Sequence, residues 1–181
     1  MADRWETIDE QIAYSCEGFD IVNETVALPD GTEAEFDYLS EHESAVILPF
    51  TTDGDVVVID EWRHAVKRQN RGLPAGSLEP GEDREQGARR ELREETGYEA
   101  GEMAYLGGFE PANGFSDAYF HYFVAHDCEP AGEQSLDTDE TIEVSTAAFD
   151  NLLDAVRSGE LEDGRTVTAI LHYALFERGE T

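Results

Sequence analysis

Residues Gly76–Tyr98 read GSLEPGEDREQGARRELREETGY, the clearest helix signal in the chain and its densest mixture of charges. A helix is expected over residues 83–96. Ala88, Leu92 and the set Glu91, Glu94 and Glu95 recur at helical spacing, and Gly97 ends it as the residue just past the C-cap. Gly87, inside the helix, should cost about 1 kcal/mol relative to alanine. Glu91, Glu94 and Glu95 stand at i, i+3 and i+4, so they share one helix face. Three like charges on one face repel unless a cation neutralises them. Oxygen-only ligands select hard ions, Mg²⁺ or Mn²⁺. In so acidic a chain a solvated acidic face is the alternative. Four arginines, Arg84, Arg89, Arg90 and Arg93, interleave with these acids in a chain that has eleven. Gly76 and Gly81 flank the loop before the helix, where backbone must bend tightly or approach something closely.

N-terminal to this stretch the chain reads as β. Residues 12–16, 19–28 and 32–39 carry alternating or β-branched patterns, and Pro29-Asp30-Gly31 marks a turn between the last two. Ser44 to Phe50 and Asp55 to Trp62 are apolar enough for buried strands. Thr52-Asp53-Gly54-Asp55 reads as a hairpin turn between them. Residues 63–72 read as a polar loop, leading to Leu73-Pro74-Ala75-Gly76, which cannot be a regular helix. C-terminal to the helix, strands are expected near 103–110 and 117–125. An acidic loop at 127–140 and a short strand at 141–145 follow, then helices near 146–157 and 165–178. This order predicts an α+β layered domain with a mixed sheet.

The whole chain has 181 residues, of which 40% are hydrophobic, enough for one domain with its own core. Forty-two acidic residues face twelve basic ones, a formal charge of −30. That excludes a generally basic nucleic-acid coat and disfavours adsorption to an anionic membrane. The longest apolar run, Ala45 to Phe50, is far short of the roughly 20 residues a membrane span needs. Met1 to Glu6 shows no secretory pattern. Cys16 and Cys128 form neither a metal spacing nor a disulfide framework. A soluble cytoplasmic protein is therefore expected. Lys67 is the one lysine, and carboxylates are dispersed over every segment. This resembles proteins of salt-loving organisms, because at molar salt the Debye length is about 3 Å and self-repulsion is screened. A calcium-binding or nucleic-acid-mimicking surface is the alternative.

The quoted stretch also resembles the Nudix box, Gly-x5-Glu-x7-Arg-Glu-U-x-Glu-Glu-x-Gly-U, where U is a bulky aliphatic residue. Gly76, Glu82, Arg90, Glu91, Leu92, Glu94, Glu95 and Gly97 fall in register, and Tyr98 replaces the final aliphatic. The resemblance implies a Nudix-type α/β/α sandwich with a mixed central sheet over residues 41–181. It implies hydrolysis of a nucleoside diphosphate linked to another moiety. It places metal ligands on Glu91, Glu94, Glu95 and the backbone carbonyl of Ala75, with Mg²⁺, or Mn²⁺, as the cofactor. Arg90 would pair with a carboxylate such as Glu82 and orient the ligands. Glu94, Glu95 and Arg90 thereby join the catalytic set.

Phe36 to Gly81 resembles the ADP-ribose and ADP-sugar pyrophosphatases of that family. In that group a proline in a loop beyond the box shapes the substrate pocket, and Pro111 fits it, with Phe115 nearby. An ordinary turn proline is the alternative. Gly72 and Ala118 depart from the group, which usually has glutamate at both places. Residues 137–144 resemble the group's loop that carries a catalytic carboxylate, with Glu140 the candidate general base, Asp139 second, and a plain acidic run the alternative. Eight of the twelve basic residues lie between Arg63 and Arg93, where even scattering would place about two. Arginine forks suit phosphate oxygens, so Arg63 is a substrate-binding candidate. Local pairing to acids such as Glu61 is the alternative. Most of the aromatics Phe115, Tyr119, Phe120, Tyr122 and Phe123 should be core. The group commonly forms homodimers through N-terminal strands, so residues 1–40 are expected to be a dimerisation arm whose Trp5, Phe19 or Phe36 could meet a nucleobase.

The expected reaction is hydrolysis of ADP-ribose or an ADP-sugar to AMP and a sugar phosphate. Hydrolysis of nucleoside triphosphates or dinucleoside polyphosphates is a second possibility, and a catalytically silent nucleotide-sugar sensor a third. The expected partner is a small nucleoside diphosphate, with neither nucleic acid nor membrane.

Overall fold

The computed structural model describes residues 5–137 and 141–179, and the chain divides into two compact units. The smaller comprises residues up to Glu43 together with Glu110–Tyr119. Strands β1 (Glu6–Ser15), β2 (Asp20–Ala27) and β3 (Glu33–Ser40) form an antiparallel meander in the order β1-β2-β3. The expected turn at Pro29-Asp30-Gly31 joins β2 to β3, with Gly31 N–H donating to Leu28 O at 2.9 Å. Strand β1 starts six residues before the expected strand. All ten of its residues are exposed, so no buried face imposed an alternation on its sequence. Segment 110–119 is strapped to the end of β3. Leu39 and Ser116 form a parallel bridge, and the Asp117 carboxylate accepts from Ser40 Oγ at 2.7 Å and from Glu41 N–H at 3.0 Å.

The larger unit runs Ser44–Phe109 and from Phe120 onward. It contains β4 (Ser44–Thr51), β5 (Asp55–Arg63), β6 (Arg68–Gly72), β7 (Ala75–Ser77) and helix α1 (Arg84–Thr96). Strands β8 (Tyr98–Glu99), β9 (Glu102–Phe109), β10 (Phe120–Pro130) and β11 (Ile142–Ala148) follow. Helices α2 (Phe149–Ser158) and α3 (Gly164–His172) close the unit with a π-helical turn, Tyr173–Glu177. The sheet runs β11-β5-β4-β10-β8, with β6 on β5, β7 on β4 and β9 on β10. Among the described residues of this sheet, β4 and β10 pair in parallel and the other strand pairs are antiparallel, so the sheet is mixed.

The polar loop expected over 63–72 is instead a hairpin. Its second strand, β6, is all polar except for glycine, and pairing with β5 holds it in place: Asp60 lies opposite Arg71, whose guanidinium grips it at 2.8 Å. The expected strand at 117–125 begins at Phe120 and runs on to Pro130.

The alternation of β4 and β10 builds the layers. Val46, Leu48 and Phe50 of β4, with Tyr122 and Val124 of β10, pack against Phe149 and Leu152 of α2 and Ala169 and Ile170 of α3. Ala45 and Ile47, with Phe123 and Ala125, face the other way, onto Ala88 and Leu92 of α1. The result is a sheet with α1 on one face and α2 and α3 on the other. Burying a side chain such as Leu92 completely contributes roughly 1.5–3 kcal/mol. Cys128 belongs to the α1 face, whereas Cys16, in the β1–β2 turn, is exposed. No helix among the described residues is long and apolar enough to cross a membrane.

Candidate active site

Helix α1 is fixed at both ends by local chemistry. Asp83 is its N-cap and accepts from the amides of Glu85 and Gln86, a cap typically worth about 1 kcal/mol. Gly97 takes φ 74° at the other end, and a Cβ there would lie 2.5 Å from Gly132 O, so both conformation and space demand glycine. Gly87, unfavourable on helix propensity, serves packing. A Cβ would meet Leu78 Cδ2 at 2.4 Å and Glu82 Oε2 at 2.8 Å, so glycine lets the preceding loop lie directly on the helix. Gly76 does the same for the acidic face: a Cβ there would fall 2.2 Å from the Glu91 carboxylate.

Arg90 organises the acids around it. Its Nε and Nη2 donate to the two Glu82 oxygens at 3.0 and 2.9 Å, its Nη1 donates to Glu91 Oε1 at 2.7 Å and Glu94 Oε2 at 3.0 Å, and Nη2 also reaches Ser77 O at 3.0 Å. One guanidinium therefore joins three carboxylates and the turn before the helix. The bond to Glu82, reinforced by Glu91 and Glu94, holds Arg90 above the ordinary arginine range. Reciprocally, Arg90 and the Glu79 amide hold Glu82 below the usual glutamate value.

Glu95 faces inward. It is buried, and its Oε2 accepts the Ala75 N–H at 2.9 Å. The Leu73-Pro74-Ala75-Gly76 turn is thereby tied to α1, while Pro74 O accepts from Ile47 N–H of β4 at 3.0 Å. The acidic loop is tied to the same helix. Ser135 N–H donates to Glu94 O at 2.8 Å, and the Gln134 side-chain amide donates to Glu95 O at 2.6 Å and Ile142 O at 3.3 Å. Glu140 and Asp139 lie outside the described residues. Gln134 and Ser135 escape sequence reading because a single polar residue in a loop carries no periodic signal.

The substrate-binding candidates fall on both units. Arg63 ends β5, and its Nη2 is paired with Glu61 at 2.7 Å, the local partner the sequence left open. Pro111 and Phe115 belong to the segment strapped to β3, and Phe115 is 64% exposed. Tyr122 and Phe123 are core, and Trp5 and Phe36 form an exposed ring pair with centroids 5.3 Å apart.

Among the described residues no three carboxylate, imidazole or thiol groups are already close enough together to enclose a cation. The donor chemistry nonetheless suits a hard divalent ion. Glu91, Glu94 and Glu95 supply only oxygen, and Arg90 draws two of them together. Glycine at 76 leaves the Glu91 carboxylate directly against the turn that would supply a carbonyl.

A family model described as NUDIX domain matches residues 40–168. The chain is 32% identical to an ADP-ribose pyrophosphatase of Bacillus subtilis over 95% of its own length and 94% of that protein's. It is 33% identical to a GDP-mannose pyrophosphatase of Salmonella typhimurium, covering 72% of this chain and 71% of the other. A crystal structure of an ADP compounds hydrolase superimposes with a TM-score of 0.83 over 96% of this chain and 94% of that one, at 19% identity. That likeness shows the fold.

Proposed function

Because the chain belongs to the NUDIX family and is a Nudix pyrophosphatase, we propose that its substrate is ADP-ribose or a closely related ADP-sugar, cleaved to AMP and a sugar phosphate with Mg²⁺. The observation that carries the reaction is the face of Glu91, Glu94 and Glu95, clamped by Arg90 and set against the Ala75–Gly76 turn. The substrate class is supported by the relationship to an ADP-ribose pyrophosphatase along nearly the whole chain.

Divalent cations bound there would offset the diphosphate charge, polarise phosphorus and acidify the attacking water. Water adds its oxygen to one phosphorus, the bridging P–O bond breaks, and the departing phosphate keeps the bridging oxygen. Arg90 holds Glu91 and Glu94 in one orientation, and the Ala75 amide fixes Glu95. Glu140 takes the water proton. Support for that role comes from its neighbours, since Gln134 and Ser135 bind the carbonyls of Glu95 and Glu94. Arg63 holds a phosphate or distal oxygen in place of part of its bond to Glu61, and Pro111 and Phe115 are read as substrate-contacting residues of the smaller unit.

We also read the protein as a cytoplasmic, halophilic homodimer. Two unpaired cysteines suit a reducing compartment, and a charge of −30 suits high salt. Ile8, Ile12 and Tyr14 of β1, each more than half exposed, suit burial against a second copy.

The test is a substrate panel with Mg²⁺: ADP-ribose, ADP-glucose, GDP-mannose, NADH, ATP and a diadenosine polyphosphate. ADP-ribose should be fastest, yielding AMP and ribose 5-phosphate. The relationship to a GDP-mannose pyrophosphatase makes GDP-mannose the strongest competitor. If ATP or the dinucleotide is fastest, the substrate assignment is wrong although the reaction class stands. If nothing is cleaved but ADP-ribose raises the melting temperature, the protein is a sensor.

A further inference from the structure

The Leu73-Pro74-Ala75-Gly76 turn has one anchor that lies far away in sequence. Thr166, in the first turn of α3, is fully buried, and its Oγ1 accepts the Leu73 N–H at 2.9 Å. The same hydroxyl donates to Asp163 Oδ2 at 2.6 Å. Asp163 is the N-cap of α3, and its Oδ2 also accepts the Thr166 N–H at 3.1 Å. A hydroxyl has one proton to give, and Asp163 takes it. A lone pair of Thr166 is left to face the Leu73 amide. The cap of α3 therefore sets the direction of the bond that holds Leu73.

The connection continues toward the acidic face. Leu73 is buried, Pro74 O is held by Ile47, the Ala75 N–H is held by Glu95, and Gly76 abuts Glu91. Three elements thus fix the turn: α3 at Leu73, β4 at Pro74, and α1 at both Ala75 and Gly76. Gly72 completes the arrangement: a Cβ there would lie 3.2 Å from Thr166 Oγ1 and 3.4 Å from Asp163 Oδ2. A larger residue would compete for the space in which Thr166 reaches Leu73.

We propose that Thr166, oriented by Asp163, is a positioning residue for the divalent-cation site, holding the Ala75 backbone and Glu95 in register from the opposite face of the sheet. The proposal rests on the assignment of Glu91, Glu94, Glu95 and Ala75 as cation ligands. Groups behind first ligands typically change metal affinity or activity by about 10–100-fold when altered. Valine at 166 keeps the shape but cannot accept, leaving the Leu73 N–H buried without a partner. Serine restores the hydroxyl.

The experiment measures Mn²⁺ binding without substrate, by electron paramagnetic resonance, on full-length protein well below its melting temperature. Thr166→Val should weaken Mn²⁺ about tenfold, and Thr166→Ser should return it to near the parent value. Asp163→Asn keeps a good cap but offers a weaker, neutral acceptor. It should show a smaller loss of the same sign, and it decides the matter if Thr166→Val does not fold. Parent affinity in the folded variants, with only the melting temperature lowered, would mean that Thr166 merely supports the fold, and the proposal fails. Glu95→Gln separates the two assignments. If it binds Mn²⁺ as the parent does, the ligand assignment is at fault, and the proposal falls with it.

Discussion

Replacing Gly76 by alanine tests the acidic face with a single methyl group. The Cβ would be built 2.2 Å from the Glu91 carboxylate, whereas ordinary contact begins at 3.4 Å. Glu91 must therefore retreat by about 1.2 Å. Its carboxylate ends a flexible side chain, so the backbone need not move. Gly76 is not among the positive-φ glycines, so alanine adds no strain of its own. Alanine stabilises through the unfolded chain by roughly 0.4–1 kcal/mol at such a position. Loss of the charge-assisted Arg90–Glu91 bond costs roughly 1.5–3 kcal/mol. The loss exceeds the gain by about 1–2 kcal/mol, so the melting temperature should fall by a few degrees while the protein stays folded. Activity should not escape so lightly, because a misplacement of about 1 Å in a catalytic site can cost about 100-fold. The assay is kcat/KM for ADP-ribose, read by phosphatase-coupled release of phosphate, with circular dichroism melting on the same sample. A folded Gly76→Ala enzyme with parental kcat/KM would refute the assignment of Glu91. A variant that unfolds would refute the claim that the clash is confined to its side chain.

Glu95→Gln retains an oxygen for the Ala75 amide but removes a charge, so the fold should persist while kcat falls by at least about 100-fold in the release assay. Glu140→Gln should lower kcat more than it raises KM, since a base acts in the transition state; a crippled Asp139→Asn beside an active Glu140→Gln would transfer the role to Asp139. The lowered pKa of Glu82 makes its bond to Arg90 fully stabilising above the ordinary glutamate value of 4.5, and that stability drains away as pH falls from there through the lowered native value. Urea midpoints measured across that range should show the loss, and Glu82→Gln should flatten it. The thermal midpoint should rise between about 0.1 M and about 3 M KCl as the net charge is screened; a flat or falling curve would contradict a halophilic origin.

The parts of the molecule legible in the sequence are those where one physical signal dominated. Asp83 and Gly97 bracket α1 because a cap and a left-handed residue leave distinct residue types behind. β4 and β5 are plain because both their faces are covered. β6 escaped because Arg68-Gln69-Asn70-Arg71 has no apolar member, and only its ladder with β5 makes it a strand. The N-terminal half of β1 escaped for the opposite reason: nothing covers it, so its alternation is not under packing constraint. Within the site, the carboxylate face could be read from spacing on one helix. The five-way reach of Arg90 and the bond from Thr166 could not, because each depends on elements brought together only by folding. Arg63 was ambiguous in sequence, and its side chain is paired with Glu61.

The unequal standing of the two cysteines gives the protein a built-in labelling scheme. Burial pushes the Cys128 thiol up to about 12, with Asp127 adding to the rise. At a pH of about 8 only about one Cys128 in ten thousand is thiolate, and the thiolate is the reactive form. Cys16 stands in the open at the β1–β2 turn. A maleimide spin probe should therefore mark each chain once, on the N-terminal sheet, without any engineered substitution. Dipolar spectroscopy on such a sample would be silent for isolated chains. For a pair of chains it would return a distance between the two turns, a direct ruler for the way the arms meet.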